Sequence, residues 1–275
     1  MLRTNVQHAM LRVPVLAAGL LVLLFAASAQ GRGADGDFDV RTSSHFILHQ
    51  DVDIDQSGGF HGSRRFEQQV LAVLEDAYER LDRLLDLRPD RKLHVVVYDP
   101  AIFDQEFAGL FRFPAAGFYH GVIRIRGATE VTVNLQRVLH HELVHAALDA
   151  AAPSMVFPGW INEGGAEWFE ARALGKRGLD GREWAALQQL SKQGALYTID
   201  QLATPSFVRM GPNGAAVAYL QSYALIEYLA RVHGERDLPR FYSELIRSRD
   251  LARALKRVYR LDVRTFERRF FDQLK

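Results

Sequence analysis

Two histidines four residues apart with a glutamate between them, His141-Glu142-Leu143-Val144-His145, are followed at a short interval by Trp160-Ile161-Asn162-Glu163-Gly164-Gly165-Ala166-Glu167. On a helix, positions i and i+4 differ by only roughly 40° around the axis, so both imidazoles can reach one ion from the same face. Glu142 then stands beside that ion without binding it, where it can take a proton from an activated water and return it to a leaving amine. A catalytic zinc needs three protein ligands and one open position. The third donor expected here is Glu163. Glu167, one turn on, falls on the same face and can accept a hydrogen bond from the outer nitrogen of a ligating histidine. Glu170 is expected on a neighbouring face, as a surface carboxylate of an amphipathic helix. His140 has Val144 at i+4 instead of a second histidine and is read as a flanking residue.

Taken alone, H-E-x-x-H also fits a solvated helix that happens to carry two histidines, so the surrounding elements matter. Glu130-Val131-Thr132-Val133-Asn134-Leu135 alternates polar and apolar as a half-buried strand does, with Asn134 a suitable N-cap for the segment after it. A helix is expected from about 135 to 151, because Val138, Leu139, Leu143, Ala146 and Ala147 recur at spacings of three and four, and the histidine pair borders that apolar face. Pro158-Gly159 closes the next loop, and 160–174 has the composition of a second helix able to lie alongside the first. Before these come a strand around 45–49, a Gly- and Asp-containing loop at 51–62, a long helix at about 66–87 and a buried strand at 93–98 ended by Asp99-Pro100. Beyond residue 158 further helices are expected near 183–192, 215–232, 237–247 and 263–274. The fold class is α+β.

The segment 117–126 opens with the glycine-flanked aromatics Phe118 and Tyr119 and continues as an alternating strand. An ordinary hairpin with Gly127 near its turn accounts for it, with His120 capping the strand.

In HHELVH at 140–145, PGWINEGGAEWFE at 158–170 and AYLQSYALIEYLARVHG at 218–234 the chain resembles the gluzincin metallopeptidases, in particular the peptidase MA-like domains. The resemblance implies a thermolysin-like two-lobe catalytic domain, a mixed sheet plus helices over 30–152 followed by a helical lobe over 153–275. It implies one Zn2+ per chain and a peptide or protein substrate lying extended along the strand before the zinc helix. It also places an oxyanion-binding tyrosine at Tyr219, with Tyr223 one turn later as the alternative; either can equally be an aromatic of the helical core. No G-x-M-E-N element is present, so nothing implies capture of a substrate amino terminus. Gly164-Gly165 inside a helix costs up to about 1 kcal/mol per glycine relative to Ala, and is expected to let the two zinc-bearing helices approach closely.

Arg3 and Arg12 precede an apolar stretch from Val13 to Ala27, and Ala27-Ser28-Ala29 is a suitable cleavage site before Gln30. Residues 1–29 therefore read as a secretory signal, with an uncleaved anchor as the alternative, and the expected location is periplasmic or extracellular. The absence of cysteine excludes a disulfide framework and a lipidation site. Removing 1–29 takes two of the 34 basic residues and none of the 33 acidic ones, leaving no net basic field of the kind nucleic-acid binding rests on. Arg264, Arg268 and Arg269 alternate with Phe266, Phe270 and Phe271, as in an amphipathic helix with its aromatic side in the core. Two functional readings remain: a zinc peptidase, and a zinc-containing binding module of the cell envelope without turnover. Glu142 favours the first, since a structural site has no need of an acid there.

Overall fold

The computed structural model describes residues 38–52, 64–110 and 115–275. The expected signal segment and, beyond Val52, the expected loop at 51–62 lie outside the described residues. A five-stranded mixed sheet runs in the order β1 (Asp39–Thr42), β2 (Phe46–Gln50), β3 (Leu93–Tyr98), β5 (Ile123–Arg126), β4 (Gly117–Tyr119). The central β2, β3 and β5 are parallel, and both edges are antiparallel to their neighbours. Alternation decides which side chains enter the core: Phe46, Leu48, Val95, Val97, Ile123 and Ile125 all point to one face and are sealed from water. That face is covered by α1 (Arg64–Leu85) and α3 (Val133–Ala151). The opposite face carries α2 (Pro100–Glu106), started by the Asp99 side chain on two backbone amides with Pro100 in the first turn. There Tyr98, Phe103, Phe107 and Phe118 pack edge to face.

The rest of the chain is helical: α4 (Gly159–Ala173), α5 (Gly181–Lys192), α6 (Gly211–His233), α7 (Asp237–Ser248), α8 (Leu251–Tyr259) and α9 (Val263–Asp272). α4 packs against both α3 and α6, burying Trp160, Ile161, Trp168 and Phe169 completely. On α9, Phe266 and Phe270 are buried beneath Tyr228, as the alternation of arginines and phenylalanines required. No helix of the described residues is long and apolar enough to cross a membrane.

Several local expectations are corrected. Residues 130–132 form no strand, and helix α3 begins at Val133 because the Thr132 hydroxyl, not Asn134, accepts from the amide of Leu135. The β4–β5 turn is made at Gly121, whose φ of 68° suits glycine. Gly127 instead marks a close approach: a Cβ there would meet the Tyr98 carbonyl at 2.4 Å. β1, α2 and α8 have no counterpart among the expected elements.

Candidate metal centre

α3 and α4 present their polar stripes to each other. On α3 the side chains of Leu135, Leu139, Leu143, Ala146 and Ala147 are buried, which turns His141, Glu142 and His145 toward α4 and the adjoining cavity. His141 Nε2 and His145 Nε2 lie 3.4 and 3.5 Å from the same atom, Glu163 Oε2. Hydrogen-bonded N and O atoms stand about 2.7–3.2 Å apart. Donors on a four-coordinate zinc with bonds of about 2.0–2.1 Å stand about 3.3–3.4 Å apart by tetrahedral geometry. The spacing is thus that of three atoms around one ion, and the set of two imidazoles and one carboxylate suits a borderline cation such as zinc.

The outer nitrogen of His145 is hydrogen-bonded, and that of His141 has carboxylates near it. His145 Nδ1 faces Asn162 Oδ1 at 3.0 Å. Since the amide oxygen only accepts, Nδ1 carries the hydrogen, and in the neutral ring Nε2 is then the nitrogen with a lone pair to offer a metal ion. His141 Nδ1 has two carboxylates nearby, Glu170 Oε2 at 3.5 Å and Glu167 Oε1 at 3.9 Å. Glu170 is itself held by Arg137 Nε at 2.6 Å, and it is 7% exposed, so it is not the surface carboxylate expected. The signal was available: seven residues make two turns less about 20°, which returns Glu170 to the stripe of Glu163. Asn162 and Arg137 carried no comparable signal, because only the packing of α3 on α4 brings them to their partners. His140 stands apart, buried, with Nδ1 2.5 Å from the Gln136 carbonyl. His120 is exposed at the β4–β5 turn.

The electrostatics ask for positive charge. Burial would depress His141, yet Glu163 and Glu170, with Glu142 and Glu167 behind them, hold it well above its ordinary value. His145 follows the same pattern, burial opposed by Glu163 and Glu142. For Glu163, burial raises the carboxyl but the two imidazoles overcome it and leave it far below the usual carboxylate range. Burial wins at Glu142 and Glu167, whose carboxyls are raised. Four carboxylates around two imidazoles, with Arg137 engaging one, form a cluster that a divalent cation would neutralise.

A cavity of about 410 Å³ opens onto this cluster. Glu142 and Tyr219 line it together with His141, His145 and Glu163, and β4 contributes Gly117, Phe118 and Tyr119. The Tyr219 ring stands edge-on to Phe207 at 5.4 Å. Its hydroxyl is raised by burial and by Glu163, so it stays protonated and can donate. Tyr223 is buried away from the cavity lining, with Lys176 5.1 Å from its ring centre. Gly164 and Gly165 face elsewhere than expected. A Cβ on Gly164 would meet the Ser222 carbonyl of α6 at 2.4 Å, and one on Gly165 the Tyr242 hydroxyl of α7 at 2.1 Å, so the close approach is to α6 and α7, not to α3.

Residues 76–275 match the family model of the Peptidase MA superfamily, and the chain belongs to that superfamily, as a gluzincin-like peptidase MA domain. No curated protein gives a significant match. Among solved structures, the M1 zinc metallopeptidase from Deinococcus radiodurans is similar at 16% identity and a TM-score of 0.44, over 87% of this chain and 51% of that one. A mutant form of the same enzyme gives 15% identity and a TM-score of 0.47, over 87% and 53%. The present chain spans about half the length of these structures.

Proposed function

We propose that this protein is a zinc-dependent peptidase that cleaves peptide bonds in exported peptides or proteins. The observation that carries the reading is the convergence of His141 Nε2, His145 Nε2 and Glu163 Oε2 at 3.4 and 3.5 Å, on the wall of a cavity that Glu142 and Tyr219 also line. His141, His145 and Glu163 would hold one Zn2+, while Glu170 and Glu167 behind His141 and Asn162 behind His145 orient the rings. When bound, the ion supplies Lewis acidity toward water and toward the scissile carbonyl. Glu142 takes the proton from the attacking water at its carboxylate and delivers it to the departing amine, a role suited to a buried carboxyl whose pKa is raised. Tyr219 donates its hydroxyl to the oxygen on which negative charge develops. An extended substrate would lie along β4, the free edge of the sheet, between an upper lobe ending near residue 152 and a helical lobe beyond it. The charged and apolar start of the chain supports export to the periplasm or beyond, and mass spectrometry of exported protein is expected to find an N-terminus near Gln30.

The deciding experiment pairs metal analysis with digestion of a peptide library. Wild-type protein should carry about one zinc per chain and cleave. Glu142→Gln should keep fold and zinc while losing about 10²- to 10⁴-fold in rate. Wild-type protein that binds zinc but cleaves nothing, and behaves as Glu142→Gln does in every assay, would establish the non-catalytic zinc module instead.

A further inference from the structure

Three carboxylates line the cavity, and two of them, Glu142 and Glu163, are committed to the ion and its water in the peptidase reading. The third is Asp149. It stands one turn of α3 beyond His145, on the same stripe and about 6 Å further along the axis, so it faces the cavity next to the metal-ligand cluster. The Tyr119 hydroxyl donates to its Oδ2 at 2.6 Å and holds the carboxylate against β4. No cation among the described residues forms an ion pair with Asp149, and neither Lys nor Arg is among the described residues that line the cavity. Arg91 acts on the Tyr119 phenol from further off and lies outside that lining.

Asp149 lies in the last turn of α3, and the chain leaving that turn brings Met155, Val156 and Phe157 to the same cavity, beside Leu148. Phe157 is buried and Met155 half-buried, whereas Val156 is 69% exposed. One exposed valine means little by itself. An apolar wall next to an acid that lacks a cation is another matter, because lysine and arginine lay an apolar stem on such a surface while the charged head seeks a partner. The strand supplies the direction. Alternation along β4 sends Gly117 and Tyr119 toward α3, where a Cβ on Gly117 would sit 2.5 Å from Val138 Cγ1, and Phe118 to the opposite face against Phe107. An extended substrate paired with β4 would turn every second side chain to the α3 side, and the residue opposite Tyr119 would have its Cβ about 4.5–5.5 Å from the tyrosine's.

We propose that Asp149 determines specificity, and that the substrates are polypeptides with lysine or arginine at one fixed position close to the scissile bond. The stem of that side chain lies against Met155 and Val156, and its head meets Asp149 at the oxygen Tyr119 leaves open. The inference rests on the peptidase reading of the same cavity. A hydrogen bond to a charged group of this kind is worth about 10- to 100-fold in affinity.

The test uses full-length exported protein loaded with zinc. Mass spectrometry of peptide-library digests should find Lys or Arg enriched at one position relative to the cleaved bond. Two peptides that differ only there, one with lysine and one with norleucine, should then differ about 10- to 100-fold in kcat/KM in favour of lysine. Asp149→Asn removes the charge but keeps an acceptor for Tyr119, and the ratio should collapse toward one. A wild-type ratio near one, or an undiminished ratio in Asp149→Asn, overturns the proposal. Should Asp149→Asn not fold, Asp149→Ser carries the same comparison. Should wild-type protein cleave nothing, the peptidase reading falls by itself. Fluorescence anisotropy with the same two peptides, labelled and intact, then decides the subsite: lysine should bind about 10- to 100-fold tighter than norleucine to wild type and no tighter to Asp149→Asn, and equal binding to wild type overturns it.

Discussion

Helix α4 carries two buried charge clusters, one on each side, and they are built to different spacings. Toward α6, Glu227 accepts from Trp168 Nε1 at 2.9 Å and from Arg172 at 2.8 Å, and Arg172 reaches on to Glu235 at 2.8 Å. Every separation there is that of a closed hydrogen bond. Toward α3, the nitrogens of His141 and His145 stop 3.4 and 3.5 Å short of Glu163. Both clusters are buried and rich in acid, and both sit on the same fifteen-residue helix. One is satisfied by its own members and ties helices together; the other holds its donors apart around a common point. Spacing, more than burial or charge, separates a joint of the fold from a place prepared for an ion.

The sharpest way to break that contrast is to remove one acid from each side. Glu163→Ala should weaken zinc binding by more than about 100-fold, since even residues behind the ligands are worth about 10- to 100-fold, and elemental analysis after dialysis reads the loss. Glu227→Ala should leave zinc content unchanged and lower unfolding free energy by about 3 kcal/mol, because Arg172 is left in the interior with a more exposed partner; denaturant melts measure it. Zinc loss in Glu227→Ala, or its retention in Glu163→Ala, would erase the distinction. Next in size, Glu170→Gln keeps a hydrogen-bond acceptor behind His141 but removes the charge, and zinc affinity measured by competition with a chelator should fall about tenfold.

The smallest effect belongs to a third pair, far from α4. His49 Nε2 and His94 Nδ1 meet at 3.3 Å across β2 and β3, and burial, then His94, depress the His49 pKa. A histidine depressed in the folded state binds its proton later than in the unfolded chain, so stability is lost as pH falls below about 6.5 toward the folded value. His49→Asn should flatten the melting temperature between pH 7 and pH 5 by a few degrees at most; a profile identical to wild type would show the pair to be without consequence.

Much of this architecture can be read from residue order alone, where local and tertiary demands agree. The strand Leu93–Tyr98 was legible because an apolar run meets Asp99-Pro100, which both stops the strand and starts α2. The core stripe of α1 was legible from Val70, Leu71, Leu74, Tyr78, Leu81 and Leu85, all of them buried. Reading failed where two local signals competed: the alternation over 130–135 suggested a strand, but one hydroxyl on Thr132 started a helix there. In the site, the histidine pair and Glu163 share short segments and stood out. The Asn162 contact to His145 and the Tyr119 contact to Asp149 join residues 17 and 30 positions apart, and neither partner bears a mark of it in the sequence.

Gly164 and Gly165 leave α4 no clearance against Ser222 and Tyr242. In mechanical terms the helix is seated without play: a shift on its bed would drive it into the Ser222 backbone on one side and the Tyr242 phenol on the other. Dense interiors pass strain along instead of absorbing it. The carboxylate wall of the candidate metal centre is therefore the jaw of a vice backed by α6 and α7, and the jaw opposite is α3 with the strand fastened to it through Tyr119 and Asp149.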